Sequence, residues 1–188
     1  IVTTSDSEKI LSIAKKSGSS ILSKRSKSLS NDSTSTIRVI KSVILNIKKK
    51  FKIEDLNVCC VYPCNPLLLK IDLRGAFKKM IKNNDKFIIA VSEVKKIDKT
   101  FLMNKKKEII LSNNNIRRIN KNSNNMKKTY YENGQFCFAN SNVWLKSKAI
   151  HKKALGYEIP SWRSVDIDEI NDWKKAEIIF KIIKNDNC

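Results

Sequence analysis

Histidine is almost absent from this sequence, and that excludes several kinds of chemistry. The single histidine is His151, so no zinc constellation is credible. The same scarcity argues against Ser-His-Asp or Cys-His catalysis. The five cysteines form no C-x-x-C pair, and Cys59 and Cys60 fall within an apolar run, where small buried side chains are expected. This cysteine usage predicts a reducing, cytoplasmic compartment.

Long hydrophobic runs are also missing. No apolar stretch approaches the ~20 residues that span a bilayer, and no secretory signal peptide opens the chain. A hydrophobic content of 41% is nevertheless enough for a core. The length of 188 residues predicts a single domain, residues 1–188. Because the chain opens on Ile1 within the strand-like "IVTT", we expect its true beginning to lie upstream.

Arginine and clustered basic charge are scarce, although the net charge is +20. Most basic residues are lysines that are scattered along the chain, often beside asparagine. A nucleic-acid-binding protein more often clusters its charge, uses arginine and interleaves aromatic residues. We therefore interpret the lysines as a solvated basic surface and expect neither nucleic acid nor a membrane as partner. The positive electrostatic potential of this basic surface would still attract a polyanionic substrate such as a nucleoside triphosphate.

Apolar runs and amphipathic segments alternate in the first half of the chain. "IVTT", "SSIL", "DLNVCCVY" and "KFIIAVSEV" have the pattern of strands, and "DLNVCCVY" is typical of the buried centre of a parallel sheet. A helix follows the first strand, with Ser5 or Asp6 as its cap, and a second runs through Ile37, Ile44 and Phe51. A third helix is predicted at "KIDLRGAFKKMIKN". This alternation predicts an α/β fold with a mainly parallel sheet.

The pattern loosens after Val94. "TFLM" and "EIIL" are predicted as short antiparallel strands, "GQFCFAN" and "LGYEIP" as strands, and "SNVWLKSKAI" as a short helix. A C-terminal helix is predicted with an apolar face made of Ile170, Trp173, Ala176, Ile179, Phe180 and Ile183.

Two carboxylates stand close together near the end of the chain, in "SWRSVDIDEINDW". Asp166 and Asp168 alternate with Val165 and Ile167, so in an extended segment both aspartates point outward from the core. Carboxylates this close repel each other unless one is protonated or a cation lies between them, and Mg²⁺ suits such oxygen ligands. The alternative is that Asp168 caps the helix that follows. These residues alone leave both interpretations open.

Five motifs resemble one family in their order along the chain. They are "TTSDSEKI", "LSNDSTSTIRVI", "VCCVYPCNPLL", "YYENGQF" and "SWRSVDIDEINDWKKAE". Together they are similar to the acylneuraminate cytidylyltransferases, the CMP-sialic acid synthetase-like enzymes. "GQF" and "WRSVDID" resemble the pseudaminic acid branch most. The resemblance runs from residue 1 to about residue 183 and implies a nucleotide-diphospho-sugar transferase-like, Rossmann-like fold with helices on both faces of the sheet.

The resemblance also implies a reaction. The anomeric hydroxyl of a nonulosonic acid, of the sialic or pseudaminic type, attacks the α-phosphate of CTP, and pyrophosphate leaves. Such a displacement requires alignment and charge neutralisation more than a protein nucleophile. In this family two aspartates hold Mg²⁺, and they match Asp166 and Asp168, which become the expected catalytic and metal-binding residues.

Other site positions follow from the resemblance one by one. Arg25 and Thr36 match nucleotide-binding positions, with a surface arginine and a first-turn threonine as the alternatives. Sugar-side positions match residues after the central strand and in "NGQF", with a simple turn and a strand edge as the alternatives. These sugar-side residues are Tyr62, Asn65, Pro66 and Gln135.

The family further implies an inserted arm that pairs two subunits. It maps to approximately residues 94–148 and contains part of the sugar site. The short strands "TFLM" and "EIIL" cannot bury both faces alone, so a homodimer is expected.

Several departures from the family pattern stand beside this resemblance. A basic, Gly-rich nucleotide loop is missing from the 188 residues, which contain only four glycines. Asn122 replaces an expected basic residue, Cys137 a tyrosine and Ser26 a proline. We therefore expect a diverged chain that lacks the first βα unit and is inactive on its own. The alternatives are an inactive paralogue with a structural role and a basic nucleic-acid-binding module.

Overall fold

The computed structural model describes residues 1–94, 102–110 and 128–185. The chain divides into two compact units. Unit 1 comprises Ile1–Val61, Arg74–Ile88 and Cys137–Leu155, and unit 2 comprises Tyr62–Leu73, Ile89–Phe136 and Gly156–Cys188.

Strands and helices alternate through the described residues, which confirms the predicted α/β class, whereas a mainly parallel sheet stays a prediction. The strands are β1 (Val2–Ser5), β2 (Ile21–Lys24), β3 (Asn57–Val61), β4 (Phe87–Val94), β5 (Leu102–Met103), β6 (Ile109–Ile110), β7 (Thr129–Asn140) and β8 (Ala154–Glu158). The α-helices are α1 (Glu8–Lys16), α2 (Thr36–Phe51), α3 (Lys70–Ile81), α4 (Ser141–Lys146) and α5 (Ile170–Asn185). None of these helices is long and apolar enough to cross a membrane.

The first βαβ segment forms as predicted, except for its helix cap. β1 and β2 pair in parallel, with Val2 opposite Ile21. The cap of α1 is Ser7, whose hydroxyl accepts a hydrogen bond from the backbone N of Ile10, so the prediction of Ser5 or Asp6 is wrong. The reason is that β1 extends through Ser5, whose own hydroxyl accepts from the backbone N of Ser7 and so starts the helix later.

Helix α2 follows the predicted apolar spacing over most of its length. Ile37 and Ile44 are buried, as expected for one face of an amphipathic helix. Phe51 at its end is exposed, contrary to expectation. The helix stops at this residue because the next one, Lys52, adopts a left-handed conformation with φ 52°.

Strand β3 begins a four-stranded sheet whose order is β3-β7-β4-β8. Backbone hydrogen bonds run from the N of Tyr62 to the O of Gln135 and from the N of Ser141 to the O of Leu56, so β3 and β7 are antiparallel. The prediction that "DLNVCCVY" lies in the centre of a parallel sheet is therefore wrong. Of the two cysteines expected to be buried, Cys60 is buried and Cys59 is half-buried. Partial burial raises the pKa of the Cys59 thiol to about 12.

Unit 1 is centred on an aromatic pair. The rings of Phe87 and Trp144 meet edge to face at 5.0 Å, and both side chains are fully buried. The predicted short helix "SNVWLKSKAI" is confirmed as α4, and Asn140 caps it by accepting from the backbone N of Asn142. This cap ends β7 and turns Trp144 into the core.

Unit 2 has a core between the turn after β3 and the C-terminal helix. The buried members are Leu67, Val165, Ala176 and Ile179, with Ile167 and Ile183 packed against them. The predicted apolar face of α5 is only partly confirmed. Ile170, Trp173 and Phe180 each expose more than half of their surface, because the core contacts a narrower stripe than the sequence pattern suggests.

The short strands β5 and β6 pair antiparallel, as predicted. Met103 and Ile109 are exposed. Residues 95–101 and 111–127, with the departure at Asn122, lie outside the described residues. The single domain and its arm at about 94–148 therefore stay predictions.

Candidate active site

The aspartate pair lies in unit 2, between a 3₁₀ turn at Ser161–Arg163 and helix α5. Val165 is buried in the core and Ile167 packs against it, whereas Asp166 and Asp168 are exposed. The predicted alternation is therefore confirmed. The segment is not a strand, contrary to the strand end expected here, since β8 stops at Glu158. Because the side chains of Val165 and Ile167 pack into the core, the carboxylates of Asp166 and Asp168 face solvent.

The negative charge of Asp166 is disfavoured at this position. Partial burial raises the pKa of Asp166, and the neighbouring carboxylates of Asp168 and Asp172 raise it further. A hydrogen bond from Asn65 acts in the opposite direction. A divalent cation would relieve the remaining repulsion, and exposed carboxylate oxygens are the ligands that Mg²⁺ prefers.

The alternative reading, in which Asp168 caps the last helix, does not match the hydrogen bonds. The carboxylate at the start of α5 belongs to Asp172, whose Oδ2 accepts from the backbone N of Asp168 at 3.3 Å and of Glu169 at 3.1 Å. Among the described residues the Asp168 carboxylate accepts no hydrogen bond from the first turn of α5. The carboxylate of Asp172 thus accepts the hydrogen bonds at the start of α5, and the carboxylate of Asp168 stays available for a ligand.

Asn65 and Gly134 surround the carboxylate of Asp166. Asn65 Nδ2 donates to the carbonyl O of Gly134 at 2.7 Å and to Asp166 Oδ1 at 3.2 Å. Gly134 has φ +67°, and a Cβ placed on it would lie 3.0 Å from Asp166 Oδ2. The structure therefore brings together three residues from the turn after β3, from β7 and from the aspartate segment.

The other predicted sugar-side residues are close in sequence to Asn65 or Gly134. The backbone of Tyr62 donates to that of Gln135, and Pro66 is exposed in the turn that contains Asn65. Gln135 is fully buried, its Nε2 donates to the carbonyl O of Arg163 at 3.1 Å, and its Oε1 has no partner among the described residues. The Oδ1 of Asn65 is likewise buried and without a partner there. Two unsatisfied acceptors in one region are unusual, because such groups are nearly always hydrogen-bonded.

Sequence reasoning missed the buried charges that support this region. Arg163 binds both carboxylate oxygens of Asp72, at 2.7 and 3.1 Å, and both residues are buried. Arg163 stands in the "WRSVDID" motif, but its role as a structural cation was not inferred. Nothing in the sequence around Asp72 marks it, since an acidic residue in the first turn of α3 is ordinary.

The predicted nucleotide-side residues lie in unit 1. Arg25 Nε donates to the hydroxyl of Ser30 at 3.2 Å, and a guanidinium nitrogen lies 3.5 Å from Asp6 Oδ1. Arg25 lines a shallow pocket together with residues of β2 and α2. Thr36 begins α2 and is half-buried, but it is not among the residues that line this pocket. That Arg25 and Thr36 both contact a nucleotide stays a prediction.

The donor set at the aspartate pair fits a hard divalent cation. Within residues 1–94, 102–110 and 128–185 no group of three or more His, Cys, Asp or Glu side chains is arranged to hold a metal ion. A cation at Asp166 and Asp168 would take its remaining ligands from water or from substrate phosphates, which is the usual way that Mg²⁺ binds.

Comparisons with known proteins show the family of the chain. A family model described as cytidylyltransferase matches residues 1–178. The pseudaminic acid cytidylyltransferase of Campylobacter jejuni subsp. jejuni serotype O:2 is 32% identical over 184 residues, which cover 97% of this chain and 78% of the relative. The pseudaminic acid cytidylyltransferase of serotype O:23/36 is 31% identical over the same shares. The chain therefore belongs to the cytidylyltransferase family of CTP-dependent enzymes.

Proposed function

We propose that this protein transfers CMP from CTP to the anomeric hydroxyl of a nonulosonic acid of the pseudaminic or sialic type. The hydroxyl oxygen loses its proton to water and forms the new bond to the α-phosphorus, the phosphoanhydride bond between the α- and β-phosphates breaks, and pyrophosphate leaves. The observation that supports this most is the exposed pair Asp166 and Asp168, held outward by buried neighbours in a chain that a cytidylyltransferase model covers over residues 1–178. The similarity to two pseudaminic acid cytidylyltransferases favours that type of sugar.

Asp166 and Asp168 are proposed to hold Mg²⁺. Bound there, the ion would neutralise charge on the phosphates of CTP. The carboxylates themselves would position it, and the raised pKa of Asp166, caused by partial burial and by the neighbouring carboxylates, is consistent with a site that a cation would stabilise. The net charge of +20 favours the approach of the nucleotide.

The sugar acid is proposed to bind beside the aspartate pair, at Tyr62, Asn65, Pro66 and Gln135. Support comes from the unpartnered carboxamide oxygens of Asn65 and Gln135, which can accept hydrogen bonds from hydroxyl or amide groups of a sugar. Buried acceptors of this kind discriminate well, because a substrate that lacks the matching donor leaves them unpaired.

Arg25 and Thr36 are proposed to contact the nucleotide. The guanidinium of Arg25 is only partly exposed and is oriented by Ser30, so its fork is arranged before a phosphate or a cytosine oxygen binds. The hydroxyl of Thr36 lies at the start of α2, where backbone N–H groups and the helix dipole favour an anion. We further propose that the protein works as a homodimer.

The experiment that tests this function identifies the product. The complete gene product is incubated with CTP, Mg²⁺ and either pseudaminic or sialic acid, and the mixture is analysed by mass spectrometry. We expect a CMP-linked sugar acid and an equal amount of pyrophosphate, with pseudaminic acid as the better substrate. Unchanged CTP with both sugars would contradict the proposal, and steep salt-dependent binding to unrelated DNA would favour a nucleic-acid-binding module instead.

A further inference from the structure

In unit 2, backbone hydrogen bonds fix the turn that carries Asn65 to strand β7 on one side and to the aspartate segment on the other. The backbone N of Tyr62 donates to the O of Gln135 at 3.1 Å, and the backbone N of Ile167 donates to the O of Cys64 at 3.0 Å. Pro63 restricts the turn further, because its ring fixes φ. A side chain on this turn is therefore held in a defined position between β7 and the aspartate segment.

The side chain of Asn65 has no donor left for a substrate. An amide nitrogen carries two hydrogens, and both acceptors around Nδ2 are oxygens, the carbonyl of Gly134 and Oδ1 of Asp166. Turning the amide over would place Oδ1 against these two oxygens, so the orientation is determined. Asn65 is also almost fully buried, which makes these hydrogen bonds stronger than exposed ones.

The same contacts distinguish the two oxygens of Asp166. Oδ1 is occupied by Asn65, whereas Oδ2 has no hydrogen-bond donor among the described residues. Oδ2 lies in the space that a side chain at position 134 would fill, since an added Cβ would be only 3.0 Å away. The φ of +67° independently favours glycine at this position.

We propose that Asn65 and Gly134 are positioning residues for the cation-binding carboxylate, with Asn65 holding Oδ1 and Gly134 leaving room for Oδ2 to face the cation. The proposal rests on the proposed function, because it assumes a cation at Asp166. It assigns Asn65 a role in orienting a ligand, and any contact between Asn65 and the sugar is limited to Oδ1. Groups that orient metal ligands in this way typically change metal affinity by about 10- to 100-fold when they are removed.

The test measures Mn²⁺ binding to the complete gene product by electron paramagnetic resonance, without substrates. Asn65→Ala and Asn65→Ser remove the hydrogen bond to Asp166, and Gly134→Ala fills the space beside Oδ2. We expect each to weaken the Asp166-dependent binding by about 10- to 100-fold. The half-saturating Mg²⁺ concentration for pyrophosphate release should rise by a similar factor, while the KM for the sugar acid changes less.

Two matched controls separate positioning from general damage. Asn140 also donates its Nδ2 to an aspartate, Asp55, but in unit 1, so Asn140→Ala should leave Mn²⁺ binding unchanged. Gly18 also has a positive φ, of +92°, but nothing lies within 4 Å of an added Cβ, so Gly18→Ala tests backbone strain alone. Thermal unfolding of every variant shows whether the fold persists.

The outcomes distinguish this proposal from the one it rests on. Wild-type Mn²⁺ affinity in both Asn65 variants, with a raised KM for the sugar acid, would overturn the positioning role and leave Asn65 with a sugar contact only. If Asp166→Asn itself leaves Mn²⁺ binding unchanged, the metal site is wrong and the positioning role falls with it. If Gly134→Ala does not fold, the Asn65 variants decide alone.

Discussion

Arg163 places a positive charge in the interior of unit 2, where Asp72 neutralises it. The guanidinium binds both oxygens of the carboxylate, at 2.7 and 3.1 Å, and both side chains are nearly inaccessible to solvent. The carbonyl of Arg163 in turn accepts from Nε2 of Gln135. Because Arg163 lies only three residues before Asp166, the ion pair fixes the start of the segment that carries the candidate metal ligands.

Breaking this ion pair should destabilise the fold strongly. Asp72→Ala leaves an uncompensated buried guanidinium, and we expect the free energy of unfolding to fall by about 3–5 kcal/mol in urea titrations. Lys128→Ala serves as a control, because Lys128 pairs with Glu93 at the surface, where such pairs contribute about 0–1 kcal/mol. A loss below about 1 kcal/mol for Asp72→Ala would show that Arg163 finds another partner or reaches solvent.

At the scale of the elements, the apolar periodicity of the sequence predicted the helices and strands that depend on local sequence alone. The β1, α1, β2 order and the long helix α2 follow from apolar periodicity and polar loops, and both are confirmed. The antiparallel neighbour of β3 was missed, because a continuous apolar run shows burial but not the direction of the next strand. The exposed residues of α5, such as Trp173, were missed because periodicity does not show how wide the buried stripe is.

In the candidate site, too, local features could be predicted from the sequence and long-range contacts could not. The outward position of Asp166 and Asp168 could be predicted, because alternation with Val165 and Ile167 is a local property. The contacts around them could not, since Asn65 meets Asp166 across 101 positions and Arg163 meets Asp72 across 91. Pairings so distant in sequence are set by the tertiary fold and leave no periodic signal.

At the scale of the whole molecule, the homodimer remains a proposal that solution mass can test. β5 and β6 form a two-stranded hairpin, which is marginally stable alone, and Met103 and Ile109 on it are exposed. We expect light scattering at micromolar concentration to give twice the mass of one chain, and Met103→Lys with Ile109→Lys to reduce it toward the monomer. Ile71→Lys, at an exposed site on α3, is the control and should stay dimeric. A monomeric wild-type protein would contradict this assembly.

The proposed activity depends most on the carboxylates of Asp166 and Asp168, and pyrophosphate release tests their role most directly. The complete gene product is assayed with CTP, Mg²⁺ and pseudaminic acid as wild type, Asp166→Asn, Asp168→Asn and Asp85→Asn. Asp85 is an exposed carboxylate in the turn between α3 and β4, so its variant controls for the lost charge. We expect each variant of the pair to lose at least about 100-fold in rate with an intact fold, since charge stabilisation of this kind contributes several kcal/mol, and Asp85→Asn to match wild type. Near-normal release by both Asp166→Asn and Asp168→Asn would contradict the central claim.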